Sequence, residues 1–146
     1  MSRLVLPDVN VLVALFDPAH VHHELAHDWF AGNRRRGWAT TPITENAVLR
    51  IFGNPKYGSN AERPELVAPR LRAFCSADDH QFWPAAISLA DTSVFQLAFA
   101  AHRQLTDVYL LGLAQANGGA LSTFDRNIPL KAVAGATPDL LEVITA

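Results

Sequence analysis

Cysteine is nearly missing from this chain: Cys75 stands alone among 146 residues. One thiol excludes an internal disulfide and every zinc or redox motif built on paired cysteines, and it fits a reducing compartment, so a cytoplasmic location is expected. Runs of about 18 apolar residues are also missing, which excludes a transmembrane helix and gives no reason to expect a membrane. Glycine (8) and proline (9) are too few for collagen-like or low-complexity sequence. Charged residues make up only 18% against 49% hydrophobic, the reverse of a disordered composition. Neither sign of charge dominates: 12 Lys+Arg against 14 Asp+Glu leaves a net −2, so nothing in bulk charge attracts a polyanion. Leu4–Phe16 is apolar, but Pro7, Asp8 and Asn10 interrupt it and no small-residue cleavage site follows, which argues against a signal peptide. What is present is a length and an apolar content that suit a single domain over residues 1–146.

Patterning places the elements. Arg3–Pro7 reads as a strand covered on both faces. Val9, Leu12, Val13 and Phe16 follow at helical spacing. A second helix is expected over His20–Ala31, a strand over Gly37–Thr40, and a third helix to about Phe52, capped by Thr41 with Pro42 at its first position. Gly53–Arg63 reads as a long loop and Val67–Cys75 as a fourth helix. A brief strand at Gln81–Trp83, helices over Asp91–His102 and Thr106–Ala116, and strands at Gly119–Thr123 and Leu140–Ile144 complete the expectation. Strands alternating with helices imply an α/β fold with a mostly parallel central sheet.

Four acids fall at the ends of these elements. Asp8 and Asp125 follow strands directly, the place where open α/β sheets bind ligands. Asp107 follows Thr106, read as a helix cap, and its helix continues the apolar stripe Leu110, Leu111 and Ala114. Glu45 lies in the first turn after Thr41-Pro42, where Thr44 and not Glu45 holds the capping-box position. Each acid alone is a common turn or helix-start residue. Together they would repel one another unless a cation neutralised them. Oxygen-only donors point to Mg²⁺ or Mn²⁺ rather than zinc, and hence to metal-assisted phosphoryl transfer or hydrolysis.

The segments that carry these acids are Leu6-Pro-Asp8-Val-Asn10-Val-Leu-Val-Ala-Leu15, Thr41-Pro-Ile-Thr-Glu45-Asn-Ala-Val-Leu-Arg50, Leu105-Thr-Asp107-Val-Tyr-Leu-Leu and Leu121-Ser-Thr-Phe-Asp125, with Phe82-Trp83-Pro84 and Ser88-Leu89 between. Over nearly the whole chain this resembles the PIN-domain ribonucleases, and within them the VapC-type toxins of bacterial type II toxin–antitoxin systems. The resemblance implies a three-layer α/β/α PIN-like fold and a toxic, Mg²⁺-dependent endoribonuclease. It implies that Asp8 and Asp107 bind the ion directly, and that Glu45 and Asp125 act through water or a second ion. Asn10 and Thr123 are expected to support Asp8 or a metal water. A homodimer and a small cognate antitoxin are further implications, the antitoxin seated in an apolar groove near Val48–Phe52 and Leu66–Phe74.

Two other readings compete. His23-Glu24-Leu25-Ala26-His27 matches the H-E-x-x-H motif of zinc metalloproteases. At helical spacing, however, His20, His23, Glu24, His27 and Asp28 share the side opposite Val21, Leu25, Ala26, Trp29 and Phe30, which makes it a solvated face. A non-catalytic PIN-like interaction module would carry the same acids without turnover. Arg34-Arg35-Arg36 could guide an RNA backbone or merely end a helix, so no RNA-binding residue is assigned. Trp29, Trp38 and Trp83 are expected in the core.

Overall fold

The computed structural model describes residues 3–146. Five short strands, β1 (Val5–Pro7), β2 (Trp38–Thr40), β3 (His80–Phe82), β4 (Ala120–Thr123) and β5 (Leu141–Val143), form one sheet in the order β3-β2-β1-β4-β5. Every pairing is parallel. Successive side chains of a strand point to opposite faces, and the two cores follow that alternation. Val5 and Trp38 face helices α1 (Val9–Phe16), α2 (His23–Asn33), α3 (Pro42–Gly53) and α4 (Pro64–Phe74). Leu6, Ala39 and Leu121 face α5 (Leu105–Ala116) and the irregular segments around Trp83–Ala100 and Ile128–Leu140. The result is the expected three-layer α/β/α architecture, with Trp38 and Trp83 buried and Trp29 half-buried against the α1–α4 layer.

Most elements lie within a few residues of their expected bounds; three differences have physical causes. No α-helix forms over 91–102, which hold only a 3-10 turn at Leu97–Phe99 and the start of another at His102. Phe95 pairs as an isolated bridge with Val133 and stacks on Tyr109, whose hydroxyl donates to the Ile87 carbonyl at 2.9 Å. Gly112 of α5 is what lets Phe95 in, since a Cβ there would lie 2.5 Å from its ring. Thr106 does not cap α5; Gln104 precedes the helix, and its side chain accepts from the Ala101 N–H, closing a 3-10 turn one residue before Leu105. α2 starts at His23 rather than His20, which leaves Val21 outside the helix and 87% exposed.

The H-E-x-x-H histidines explain that start. The last carbonyls of α1 have no partner within their own helix. The Asp17 N–H satisfies Val13 O at 2.9 Å, His23 Nδ1 satisfies Ala14 O at 2.7 Å, His27 Nε2 satisfies Leu15 O at 2.9 Å, and Arg70 satisfies Phe16 O at 2.9 Å. The motif is a cap for α1 and not a zinc site: Glu24, His27 and Asp28 are exposed, as a solvated face should be, while His23 is half-buried, and both rings bond to α1 carbonyls. Asp17 then anchors the following loop by accepting from the Ala19 N–H, from Asn60 at 2.9 Å and from the Tyr57 hydroxyl.

Candidate active site

Because β1 is flanked by β2 on one side and β4 on the other, the chain reverses its direction of winding between β1 and β4. In open parallel sheets that switch point opens a crevice beyond the carboxyl ends of the strands. Asp8 sits there at the end of β1, and Asp125 two residues beyond β4. Asp107, in the first turn of α5, comes from the layer packed against those strands.

Asp8 is the N-cap of α1: its Oδ1 accepts from the Val11 N–H at 2.9 Å. Its Oδ2 accepts from the Thr123 hydroxyl at 2.5 Å, and Thr123 Oγ1 in turn accepts from the Asp125 N–H at 3.0 Å. The Asp8 residue is only 2% exposed, and this burial, with the charge of Asp107 as a smaller contribution, pushes its carboxyl up to about 6 against the hydrogen bonds that pull it down. Burial raises Asp107 as well, and the charge of Asp125 raises it further. Asp8, Asp107 and Asp125 therefore form a series of interacting carboxylates running from buried through half-buried to exposed.

Glu45 has a different setting. It is in the first turn of α3, as expected, with Thr44 Oγ1 accepting from the Thr41 N–H at the capping-box position. Its carboxylate accepts from the Thr40 hydroxyl at 2.6 Å and lies beside Cys75 and His80. Thr40, Cys75 and His80 had no signal in the sequence, because they come from β2, the end of α4 and β3. Thr123 meets its expectation of contact with Asp8. Asn10 contributes through its backbone N–H, which slightly favours the charged Asp8 carboxylate, while its exposed side chain makes no bond to that carboxylate among the described residues.

The Arg34–Arg36 run is largely spent on the fold. Arg34 pairs with Asp79 at 2.8 Å and lies over the Phe30 ring, and Arg36 pairs with Glu142 at 2.5 Å. Arg35 alone of the three is exposed. Of the groove expected near α3 and α4, Val48, Phe52, Val67 and Leu71 are core residues, whereas Leu66 is 59% exposed. No helix among the described residues is long and apolar enough to cross a membrane.

Two crowded carboxyls with raised pKa values and a third at the rim, all offering oxygen, suit a hard divalent cation. A cation there would offset both the burial and the mutual repulsion.

Comparison with known proteins gives the chain its relatives. A family model for the PIN domain matches residues 5–135. Ribonuclease VapC44 of Mycobacterium tuberculosis is 41% identical over 143 residues, covering 95% of this chain and 98% of the relative. Ribonuclease VapC39 of the same organism is 41% identical over 140 residues with the same coverage, and ribonuclease VapC38 is 38% identical over 125 residues. A crystal structure of M. tuberculosis VapC20, described as a sarcin–ricin loop cleaving toxin, superposes with a TM-score of 0.61 over 91% of this chain and 96% of that one. At 13% identity that likeness is one of fold.

Proposed function

The chain belongs to the PIN domain family, and on that premise we propose that it is a toxic, metal-dependent endoribonuclease, the toxin of a type II toxin–antitoxin pair. The observation that carries the reading is the series Asp8, Asp107 and Asp125 at the switch point of the sheet, with the innermost carboxyl raised to about 6 by burial. Relatives named as ribonucleases at 41% identity support the same activity. The proposed unit is one PIN domain over residues 1–146, acting in the cytoplasm as a homodimer.

Asp8 and Asp107 are proposed to hold Mg²⁺, or Mn²⁺ in its place, as direct ligands. Such an ion supplies charge neutralisation at the scissile phosphate and a more acidic water. The chain's own residues do the positioning. The Val11 N–H and the Thr123 hydroxyl fix both oxygens of Asp8, leaving each with lone-pair capacity toward the crevice. Thr123 also holds the backbone of Asp125, whose Oδ1 accepts from the Asn127 N–H at 2.7 Å. From that rim position Asp125 orients the attacking water, whose oxygen bonds to phosphorus as the bond to the leaving ribose oxygen breaks, the water's proton passing to solvent and the leaving oxygen taking one up from solvent. Glu45, held by Thr40, acts through water or a second ion. A small antitoxin restrains the toxin, and an Arg reaching Asp8 and Asp107 would replace the cation's charge with a planar fork matched to carboxylates.

The test is cleavage of RNA by the metal-free chain titrated with Mg²⁺ or Mn²⁺. Activity is expected to depend on the divalent ion and to disappear in Asp8→Asn and Asp107→Asn with the fold retained. A folded double variant that cuts RNA at the wild-type rate overturns the assignment of Asp8 and Asp107, whereas a wild-type chain that cuts no RNA with either ion leaves the non-catalytic module as the better reading.

A further inference from the structure

The residues around Glu45 make a second constellation whose chemistry differs from that of the acids. A carboxylate oxygen of Glu45, Sγ of Cys75 and a ring nitrogen of His80 all lie within 4.8 Å of one another. They surround one small atom: Thr40 Oγ1 is 2.6 Å from Glu45 Oε2, 2.8 Å from His80 Nε2 and 3.9 Å from Cys75 Sγ. Cys75 and His80 bracket the turn that joins α4 to β3, and Glu45 opens α3, so three separate segments supply the three donors. Beside them is a cavity of about 540 Å³ lined by Glu45, Leu49, Leu71, Cys75, His80 and Phe82, which leaves room for a further ligand from solvent.

We propose that Glu45, Cys75 and His80 form a second metal site, selective for a thiophilic divalent ion of the zinc class, with water from the adjoining cavity as fourth ligand. One sulfur, one imidazole nitrogen and one carboxylate oxygen plus an open position is the donor set that tetrahedral zinc takes, and it is wrong for Mg²⁺. Zinc bonds of about 2.0–2.3 Å place neighbouring donors about 3.5 Å apart, so the trio has to close by about 1 Å, within reach of side-chain rotation beside a cavity. Atoms balance simply. Cys75 binds as thiolate and gives its proton to solvent, and His80 binds as the neutral ring through Nε2 with its proton on Nδ1. Thr40, relieved of its bond to Nε2, keeps its bond to Glu45 as an outer support.

Glu45 is the one donor this site shares with the acids proposed for RNA cleavage. An ion held here fixes its carboxylate on the β2–β3 side of the sheet, and so lowers cleavage. That consequence rests on the ribonuclease reading; the metal site does not.

Co²⁺ added to the metal-free full chain reads the site directly. Expected are saturation at one equivalent, a thiolate-to-cobalt charge-transfer band and intense tetrahedral ligand-field bands, all displaced by Zn²⁺ and untouched by excess Mg²⁺. The charge-transfer band is expected to vanish in Cys75→Ser and Cys75→Ala, the ligand-field bands to weaken in His80→Gln, and both to persist in Asp8→Asn/Asp107→Asn. A wild-type chain that shows no thiolate band overturns the proposal whatever the variants do; so do bands that survive in Cys75→Ser, or that Mg²⁺ displaces. One equivalent of Zn²⁺ is further expected to reduce Mg²⁺-supported RNA cleavage about tenfold or more in the wild type but not in Cys75→Ser. Equal inhibition of both refutes the sharing of Glu45. Because the cobalt spectrum needs no RNA, its outcome is independent of whether the chain proves to be a ribonuclease.

Discussion

Thr123 donates its hydroxyl proton to Oδ2 of Asp8 across 2.5 Å, between residues 115 positions apart in the chain. Thr123 Oγ1 itself accepts from the Asp125 N–H, so one side chain ties the carboxyl ends of β1 and β4 together at the point where the sheet switches direction. The geometry makes Thr123 a positioning residue for both acids.

Thr123→Val keeps the shape of the side chain and removes the hydroxyl. It is expected to lower cleavage and divalent affinity by about 10–100-fold, the usual effect of losing the group that orients a ligand. Thr123→Ser should restore both. Calorimetric titration of Mn²⁺ alongside RNA cleavage checks this, and a Val variant with unchanged affinity refutes the positioning role.

The raised carboxyl of Asp8 predicts a pH dependence of stability for the metal-free protein. A group near 3.8 when unfolded and at about 6 when folded binds its proton more tightly in the native state. Its favourable contribution is complete below about pH 4 and is lost as pH rises through about 6, a swing of about 3 kcal/mol. Asp107 shifts in the same direction. Asp8→Asn should therefore raise the metal-free melting temperature at pH 7 and flatten its change between pH 5 and 7. An Asn is as good an N-cap as Asp, so the bond to the Val11 N–H is retained. In the wild type, Mg²⁺ or Mn²⁺ at pH 7 should recover stability, by about 2.7 kcal/mol at a hundredfold excess over the dissociation constant. Thermal unfolding at the two pH values, with and without the ion, measures all of it.

His23→Ala with His27→Ala is expected to leave divalent-dependent cleavage at its wild-type level and to create no zinc dependence. It should instead destabilise the fold by about 1–3 kcal/mol, because two carbonyls at the end of α1 lose their partners. Urea unfolding checks the sign. A double variant as stable as the wild type would show that water replaces both rings.

Gly112→Ala is expected to cost about 1–3 kcal/mol by overpacking, since the new methyl would meet the Phe95 ring at 2.5 Å. Phe95 is 3% exposed and pinned by Tyr109 and by its bridge to Val133, so it has little room to retreat. Gly112→Ala combined with Phe95→Leu should recover part of the loss, and a strictly additive pair would argue against direct contact.

Much of this protein could be read along the chain because its strands are buried and its helices periodic. Arg3–Pro7 followed by Val9, Leu12, Val13 and Phe16 contains the β1–α1 unit almost to the residue, and α3 starts at Pro42 as its N1 proline should, although the Thr41 hydroxyl expected to cap it makes no bond and the Thr44 hydroxyl accepts from the Thr41 N–H instead. Local patterning of that kind also put Asp8, Asp107 and Asp125 at element ends, which is why a carboxylate site was legible before any contact was known. Tertiary structure decided what local rules cannot weigh. Residues 91–102 gave up a helix because burying Phe95 against Gly112 and Tyr109 outweighs propensity. His23 and His27 became caps because α1 ends beside α2 with its carbonyls unpaired. The surroundings of Glu45 arose only when β2, β3 and the end of α4 came together: a lone cysteine excludes paired-cysteine motifs, yet nothing in its neighbours along the chain tells that His80 and Glu45 lie beside it. Sequence sets which donors exist and the elements that carry them, whereas the distance between donors on different elements is a property of packing alone.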